Sequence, residues 1–229
     1  MSLVLITGGE FEGKAANVIE AGEEESMIKL LDSSTELKIS NDLIKRRKQC
    51  SCSKSKKYPV MVEWWETKAK VACEKPLARK DNFKPDPQLP NETNIGQDYV
   101  GSGFDRGHLM PAKSNQCQTP AVQDESFYYS NMVAQYHRLN AGDWKSLETL
   151  TRDVALISDS VHVWAGNVGE LKKIGKISVP TQCWKVFYVV KNKEWFAFLF
   201  ENNLSKPDGI NNNKVTVSDI EKLTGFKFK

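Results

Sequence analysis

Short apolar segments alternate with polar turns along the first 44 residues of the chain. The turns include Gly8, Gly9 and Gly13, and short apolar segments bounded by glycine and polar residues are typical of β-strands. The predicted strands are residues 3–6, 15–20, 26–31 and 36–39. Their regular spacing predicts a small β module over residues 1–44.

From residue 58 onward the apolar pattern predicts both strands and helices. Trp144, Leu147, Leu150 and Val154 recur at helical spacing, which predicts a helix over residues 140–154. A second helix should start at the capping-box spacing of residues 218–221 and stop at Gly225. The predicted strands are residues 58–66, 161–166, 184–190 and 195–201, the last two forming a hairpin.

Composition sets limits on the class of protein. The chain has 229 residues, of which 40% are hydrophobic and 10% aromatic, so it can bury a core. It has no apolar segment of transmembrane length, which argues against a membrane partner. The N-terminus lacks the basic region of a signal peptide, so an intracellular location is expected.

Positive charge is concentrated between the two predicted parts. Residues 1–44 have a net charge of −6, residues 58–229 have +2, and residues 45–57 carry seven basic residues and no acidic one. The basic residues of this connector are Lys45, Arg46, Arg47, Lys48, Lys54, Lys56 and Lys57. Two interpretations stay open: a solvated hinge between two domains, or an arm that binds nucleic-acid phosphates.

The cysteines favour reduced thiols over a disulfide framework. There are five, an odd number, scattered along the chain. Cys50 and Cys52 lack the spacing of a zinc site, and no His or Cys pair nearby completes four ligands.

Candidate chemistry is concentrated in residues 101–112, which read GSGFDRGHLMPA. This stretch places Asp105, Arg106 and His108 within four residues, and a neutral imidazole is a natural general base near pH 7. His162 lies in a predicted strand and is expected to be a sheet residue, and His137 is left without a role.

These motifs together resemble the DNA/RNA non-specific endonucleases, the ββα-metal nucleases. The resemblance rests on Asp-Arg-Gly-His at residues 105–108, Ser-Asn at 130–131, Leu-Asn at 139–140, Trp144 with Leu-Glu at 147–148, and the Arg79 segment. It implies an α+β fold with a central antiparallel sheet over residues 58–229. It also implies a Mg²⁺-dependent enzyme, with Mn²⁺ as a possible substitute ion, that cleaves DNA and RNA.

The resemblance also implies roles for individual residues. His108 would be the general base, Asn140 the direct metal ligand, and Glu148 a metal contact through water. Arg79 would contact phosphate, with Asp105, Arg106 and Asn131 in support. On one continuous helix, Asn140 and Glu148 would lie about 80° apart around the axis and roughly 12 Å apart along it.

The β module resembles KOW-type, SH3-like barrels, which bind RNA or protein. Because this copy is acidic, a protein partner for residues 1–44 is at least as well supported as nucleic acid. An alternative for the whole chain is a nucleic-acid- or protein-binding factor with a silent nuclease fold. A homodimer stays open, since many relatives of the nuclease part are homodimers.

Overall fold

The structure is a computed structural model that describes residues 56–228 with their side chains and, within residues 1–55, the backbone of six strands. These six strands are β1 (Leu3–Ile6), β2 (Ala15–Ala21), β3 (Glu25–Leu30), β4 (Glu36–Ser40), β5 (Ile44–Arg46) and β6 (Cys50–Cys52). The chain divides into two compact units, Met1–Gln49 and Cys50–Lys229.

The first unit contains a five-stranded antiparallel sheet in the order β4-β3-β2-β1-β5. Its first four strands lie where the apolar pattern of the sequence predicts them. The side chains and loops that would define a KOW-like, SH3-type barrel lie outside the described residues. The barrel therefore stays a prediction.

The predicted connector, residues 45–57, is not free of regular structure. Ile44–Arg46 pairs with β1 as the fifth strand of the first sheet, and Cys50–Cys52 pairs with the first long strand of the second unit. The two units meet between Gln49 and Cys50, inside the predicted connector. The apolar pattern did not predict these strands, because backbone hydrogen bonds can pair a polar segment that has no apolar periodicity. Residues 47–49 and 53–55 lie outside the described residues.

The second unit is built on a six-stranded antiparallel sheet in the order β15-β14-β13-β10-β7-β6. Its other five strands are β7 (Pro59–Thr67), β10 (Ser160–Val168), β13 (Gln182–Val189), β14 (Glu194–Glu201) and β15 (Lys214–Val215). The first four of these confirm the strands predicted beyond residue 58, including the hairpin. A central antiparallel sheet in a mixed α and β fold is therefore confirmed.

Both faces of this sheet are covered, as the apolar composition of its strands requires. Val163 and Phe187 belong to the core on the face that packs against the long helix α5 (Lys145–Ser158). Trp184 and Val186 belong to the core on the opposite face, where α6 (Val217–Thr224) packs. Adjacent strand residues therefore point to opposite faces, as the pleat dictates.

A second, two-stranded antiparallel sheet is formed by β8 (Asp105–His108) and β9 (Met132–Gln135). A Cβ on Gly107 would come within 2.0 Å of Gln135 Oε1, so the Gln135 side chain occupies the space beside this glycine. The hairpin β11 (Lys172–Ile174) and β12 (Ile177–Val179) forms a third sheet. The short helices are α1 (Lys68–Val71), α2 (Pro90–Thr93), α3 (Pro120–Glu125) and α4 (His137–Leu139).

The helix predicted over residues 140–154 is interrupted near its start. Asn140–Trp144 forms a π-helical turn in which Gly142 has a non-helical backbone (φ −100°, ψ −113°), and α5 begins only at Lys145. The expected 80° and 12 Å between Asn140 and Glu148 is therefore wrong, because it assumed continuous α-helical geometry. The periodicity of Trp144 and Leu147 spans the interruption, so the pattern did not reveal it.

The predicted start of the last helix is also wrong, by two residues. Thr216, not Ser218, is the N-cap, and it forms the capping box with Asp219. The predicted stop at Gly225 is confirmed, since this residue caps the helix with a left-handed backbone (φ 76°).

The prediction of reduced thiols is wrong for two cysteines. Cys73 and Cys117 form a disulfide between residues 44 positions apart, with their Cα atoms 5.7 Å apart. The backbone amide of Cys117 donates to the carbonyl of Lys70 in α1, which brings the two segments together. Cys183 is buried and free. Within the described residues, no helix is both long and apolar enough to cross a membrane.

Candidate active site

His108 is the last residue of β8 and is almost completely buried. Its ring makes edge contacts with Phe83 and Phe127, with centroids 5.8 and 5.0 Å away. Its Nε2 atom has no hydrogen-bond partner among the described residues. Burial, followed by the positive charge of Arg79, lowers the pKa of His108 to about 3. The site therefore holds a neutral imidazole with a free ring nitrogen.

Arg79 and His108 contact the same aromatic ring. The Arg79 guanidinium is 5.3 Å from the centroid of Phe127, the ring that also contacts His108. The side chain is 58% exposed and its Nε donates to Asp81 at 2.7 Å. An exposed guanidinium beside a buried neutral base can receive a phosphate from solvent.

Asn140 is fixed through Asp105 at the other end of β8. The amide nitrogen of Asn140 donates to Asp105 Oδ2 at 2.8 Å, and His137 Nδ1 lies 2.8 Å from the same oxygen. The amide nitrogen of Asn140 donates to Asp105, whereas its amide oxygen accepts no hydrogen bond from the described residues. An available amide oxygen is a suitable ligand for Mg²⁺.

A second hydrogen bond joins the π-helical turn to the same strand. Trp144 Nε1 donates to the carbonyl oxygen of His108 at 2.8 Å, and Trp144 is completely buried. The turn is thus tied to β8 at both ends, by Asn140 to Asp105 and by Trp144 to His108. This pairing fixes the base relative to the amide without a direct contact between them.

Glu148 follows Trp144 by one helical turn on α5. Its carboxylate makes no hydrogen bond among the described residues. Burial raises the pKa of Glu148, and the charges of Lys185 and Arg152 oppose that rise. Arg152 comes one turn later, and its Nη1 is buried without a hydrogen-bond partner. The helix therefore presents an acid without a hydrogen-bond partner and a guanidinium that uses Nη2, which donates to Thr149 Oγ1 at 3.1 Å, but not Nη1.

Asn131 and Arg106 have mainly structural contacts. The Asn131 amide accepts from the Met110 amide at 2.9 Å and donates to the Met110 and Ser126 carbonyls at 2.8 Å each. These bonds hold the segment that follows His108. Arg106 lies over Phe83 and Tyr99, and its Nε is buried without a partner.

The sequence pattern of the DNA/RNA non-specific endonucleases matches residues 29–229, most of this chain. The chain belongs to the DNA/RNA non-specific endonuclease family. Among its curated relatives, the mitochondrial nuclease EXOG of Xenopus laevis is 34% identical over 170 residues, covering 64% of this chain and 46% of the relative. The nuclease of Serratia marcescens is 34% identical over 164 residues, covering 63% of this chain and 60% of the relative.

A solved structure shows the same fold. It is a crystal structure of an EndoG/EndoGI complex that explains EndoG inhibition, with a TM-score of 0.71 and 25% identity over 80% of this chain and 84% of the other. The matches to curated relatives, by contrast, span about half to six tenths of those proteins' lengths.

Several residues predicted to bind nucleic acid make contacts elsewhere in the chain. Lys56 Nζ is 5.7 Å from the centroid of Tyr58, and Lys57 Nζ donates to the Asn91 carbonyl at 3.4 Å. The side chains of the other connector cations, residues 45–48 and 54, lie outside the described residues. His162 is a sheet residue, as predicted: it lies in β10, with Nε2 at 2.7 Å from Glu63 Oε1.

Arg152 was not among the predicted site residues, and His137 was left without a role. Arg152 lies four residues after Glu148, the spacing that places two side chains on one helix face. This spacing is the sequence signal that could have placed Arg152 beside Glu148. For His137 the sequence carries no comparable signal, because its contact with Asp105 depends on the pairing of β8 with β9.

The donor set fits a hydrated Mg²⁺ better than a metal enclosed by protein ligands. Among the described residues, no group of three or more His, Cys, Asp or Glu side chains could hold a metal ion. The free amide oxygen of Asn140 and the unbonded carboxylate of Glu148 suit an ion that keeps most of its water.

Proposed function

We propose that this chain is a Mg²⁺-dependent, sugar-non-specific endonuclease that hydrolyses phosphodiester bonds in DNA and RNA. The observation that carries the proposal is His108, a buried neutral imidazole with a free Nε2 beside the Arg79 guanidinium. Membership of a family of nucleases supports the same conclusion.

His108 would act as the general base. Its Nε2 would accept a proton from the attacking water, since burial and then the charge of Arg79 lower the pKa of His108 and keep the ring neutral before substrate binds. The bound phosphate places negative charge beside the ring, which raises the proton affinity of the imidazole at the moment when it is needed.

Charge neutralisation would come from Arg79 and from the ion that Asn140 holds. The Arg79 fork would donate to the non-bridging phosphate oxygens, and the hydrogen bond from the Asn140 amide nitrogen to Asp105 would leave the amide oxygen available to hold the ion. Glu148 would hold the ion through water. The bound Mg²⁺ would supply positive charge to the phosphate and to the leaving oxygen.

Little sequence preference is expected. The residues proposed to bind substrate recognise phosphate, and phosphate contacts carry no base information. The same argument predicts activity on both sugars, because no proposed step involves the 2′-hydroxyl.

A plasmid-nicking assay with Mg²⁺ or with EDTA tests the proposal, alongside cleavage of a single-stranded RNA. We expect cleavage of both substrates only with Mg²⁺, and its loss in His108→Ala. His162→Gln is the control, since His162 is a histidine of the central sheet that pairs with Glu63. A wild-type protein that binds nucleic acid but never cleaves it would support the silent-fold alternative instead.

A further inference from the structure

A buried lysine lies beneath the proposed active site. Lys185, in β13, has 0% exposure, and none of the described residues accepts a hydrogen bond from its Nζ. The ammonium is 4.3 Å from the centroid of Trp144 and 5.4 Å from that of Trp64. Two aromatic faces stabilise a cation only partly, so a buried ammonium requires further compensation.

Glu66 supplies a counter-charge from the neighbouring part of the core. This residue, in β7, is 1% exposed. Its Oε2 accepts hydrogen bonds from Trp64 Nε1 at 2.8 Å and from Ser114 Oγ at 2.6 Å, whereas its Oε1 is buried without a partner. Burial lowers the pKa of Lys185 to about 8, and the carboxylates of Glu148 and Glu66 oppose this shift.

The two unpartnered atoms belong to residues that both contact Trp64. The ammonium of Lys185 lies 5.4 Å from the centroid of the Trp64 ring, and Glu66 accepts a hydrogen bond from Trp64 Nε1. Neither the ammonium nor Oε1 of Glu66 has a hydrogen-bond partner among the described residues. Opposite charges that share one buried neighbour compensate each other in part.

This pair reaches the proposed site through Trp144 and Glu148. Trp144 lies against the Lys185 ammonium and donates its Nε1 hydrogen to the carbonyl of His108. Glu148, one turn later, is attracted by the same ammonium. One buried cation therefore acts on the residue that supports the base and on the proposed outer contact of the metal.

We propose that Lys185 and Glu66, which share the buried neighbour Trp64, form a charge pair that positions Trp144 and Glu148 relative to His108. Both are positioning residues and touch no substrate. The proposal rests on the nuclease function proposed above for its catalytic part, but not for the charge pair itself.

Four variants test it: Lys185→Met, Lys185→Arg, Glu66→Gln and the double variant Lys185→Met/Glu66→Gln. Each is compared in thermal unfolding, kcat and KM. We expect Lys185→Met to lower kcat about 10–100-fold with KM nearly unchanged, as for other residues that act through a neighbour. Lys185→Arg keeps the charge and should restore part of kcat.

Stability separates positioning from folding. Lys185→Met leaves Glu66 buried without its counter-charge and should lower Tm, whereas the double variant should recover Tm but not kcat. Lys214→Met is the matched control, because Lys214 also lies over an aromatic ring, Phe196 at 5.2 Å, but is exposed at the sheet edge.

Two results would overturn the proposal. Recovery of both Tm and kcat in the double variant would reduce the pair to a folding role, and an unchanged kcat in Lys185→Met would remove the positioning role. An inactive wild-type protein would refute the proposed nuclease function and the positioning role with it. The Tm values of the four variants would still test the charge pair itself.

Discussion

The depressed pKa of His108 makes the stability of the second unit depend on pH in a way that one substitution removes. In the unfolded chain a histidine has a pKa of about 6.5, whereas burial and Arg79 lower it to about 3 in the folded chain. As pH falls below 6.5, the unfolded chain takes up a proton that the folded chain refuses. Stability is therefore complete above that pH and is lost progressively down to about pH 3.

The magnitude follows from the width of this window. Well below pH 6.5 each pH unit costs about 1.4 kcal/mol, and because the unfolded histidine is already half protonated at pH 6.5, the loss between pH 6.5 and pH 4.5 is about 2.3 kcal/mol. His108→Gln keeps a neutral polar side chain and removes the titration. We expect the wild-type protein to lose about 2.3 kcal/mol more than the variant over that interval.

Urea unfolding followed by tryptophan fluorescence measures this difference. All six tryptophans lie in the second unit, so the signal does not report on residues 1–49. Both proteins are measured in EDTA, so that metal binding does not contribute, and the other titrating groups cancel because the two chains share them. Parallel pH dependences for the two proteins would show that His108 is not held neutral by burial.

Three further predictions concern the metal, the disulfide and the connector. Asn140→Ala should abolish Mg²⁺-dependent cleavage, whereas Glu148→Ala should lower kcat about 10–100-fold, as expected for a contact through water; equal losses in a cleavage assay would contradict the two roles. Replacing Cys73 and Cys117 by serine should lower the free energy of unfolding by about 4 kcal/mol, since the disulfide closes a loop of 44 residues, and urea unfolding with and without reductant checks this. The third prediction concerns the seven cations of residues 45–57, replaced together by glutamine. If three or four of them contact phosphates, the slope of log affinity for duplex DNA against log salt should become shallower by about three units. A solvated hinge predicts no change in this slope.

The local sequence pattern predicted most strands and helices, but it did not predict where they are interrupted. The nearly continuous apolar segments of β10 and β13 come from burial on both faces of the sheet, which a sequence displays directly. The interruption at Gly142 does not come from local preference. A Cβ there would come within 2.4 Å of Pro207 Cγ, so the turn is shaped by a residue 65 positions away.

The candidate site was predictable to the extent that its residues form a motif. Asp105 and His108 are close in sequence, and the structure adds that Asp105 bonds to Asn140. Lys185 could not have been singled out, because a lysine in an apolar strand gives no sign of whether its side chain ends in solvent or between two tryptophans. The disulfide was missed because pairing depends on distance in space, which an odd number of scattered cysteines does not indicate.

The ring of Phe127 contacts both the guanidinium of Arg79 and the imidazole of His108. A guanidinium is always a donor, and one in direct contact with Nε2 of His108 would occupy the nitrogen that has to accept a proton. Nε2 has no hydrogen-bond partner among the described residues, so Arg79 adds to the effect of burial on the imidazole through its charge and not through a hydrogen bond to that nitrogen. The base is thus under electrostatic control while its acceptor nitrogen stays available.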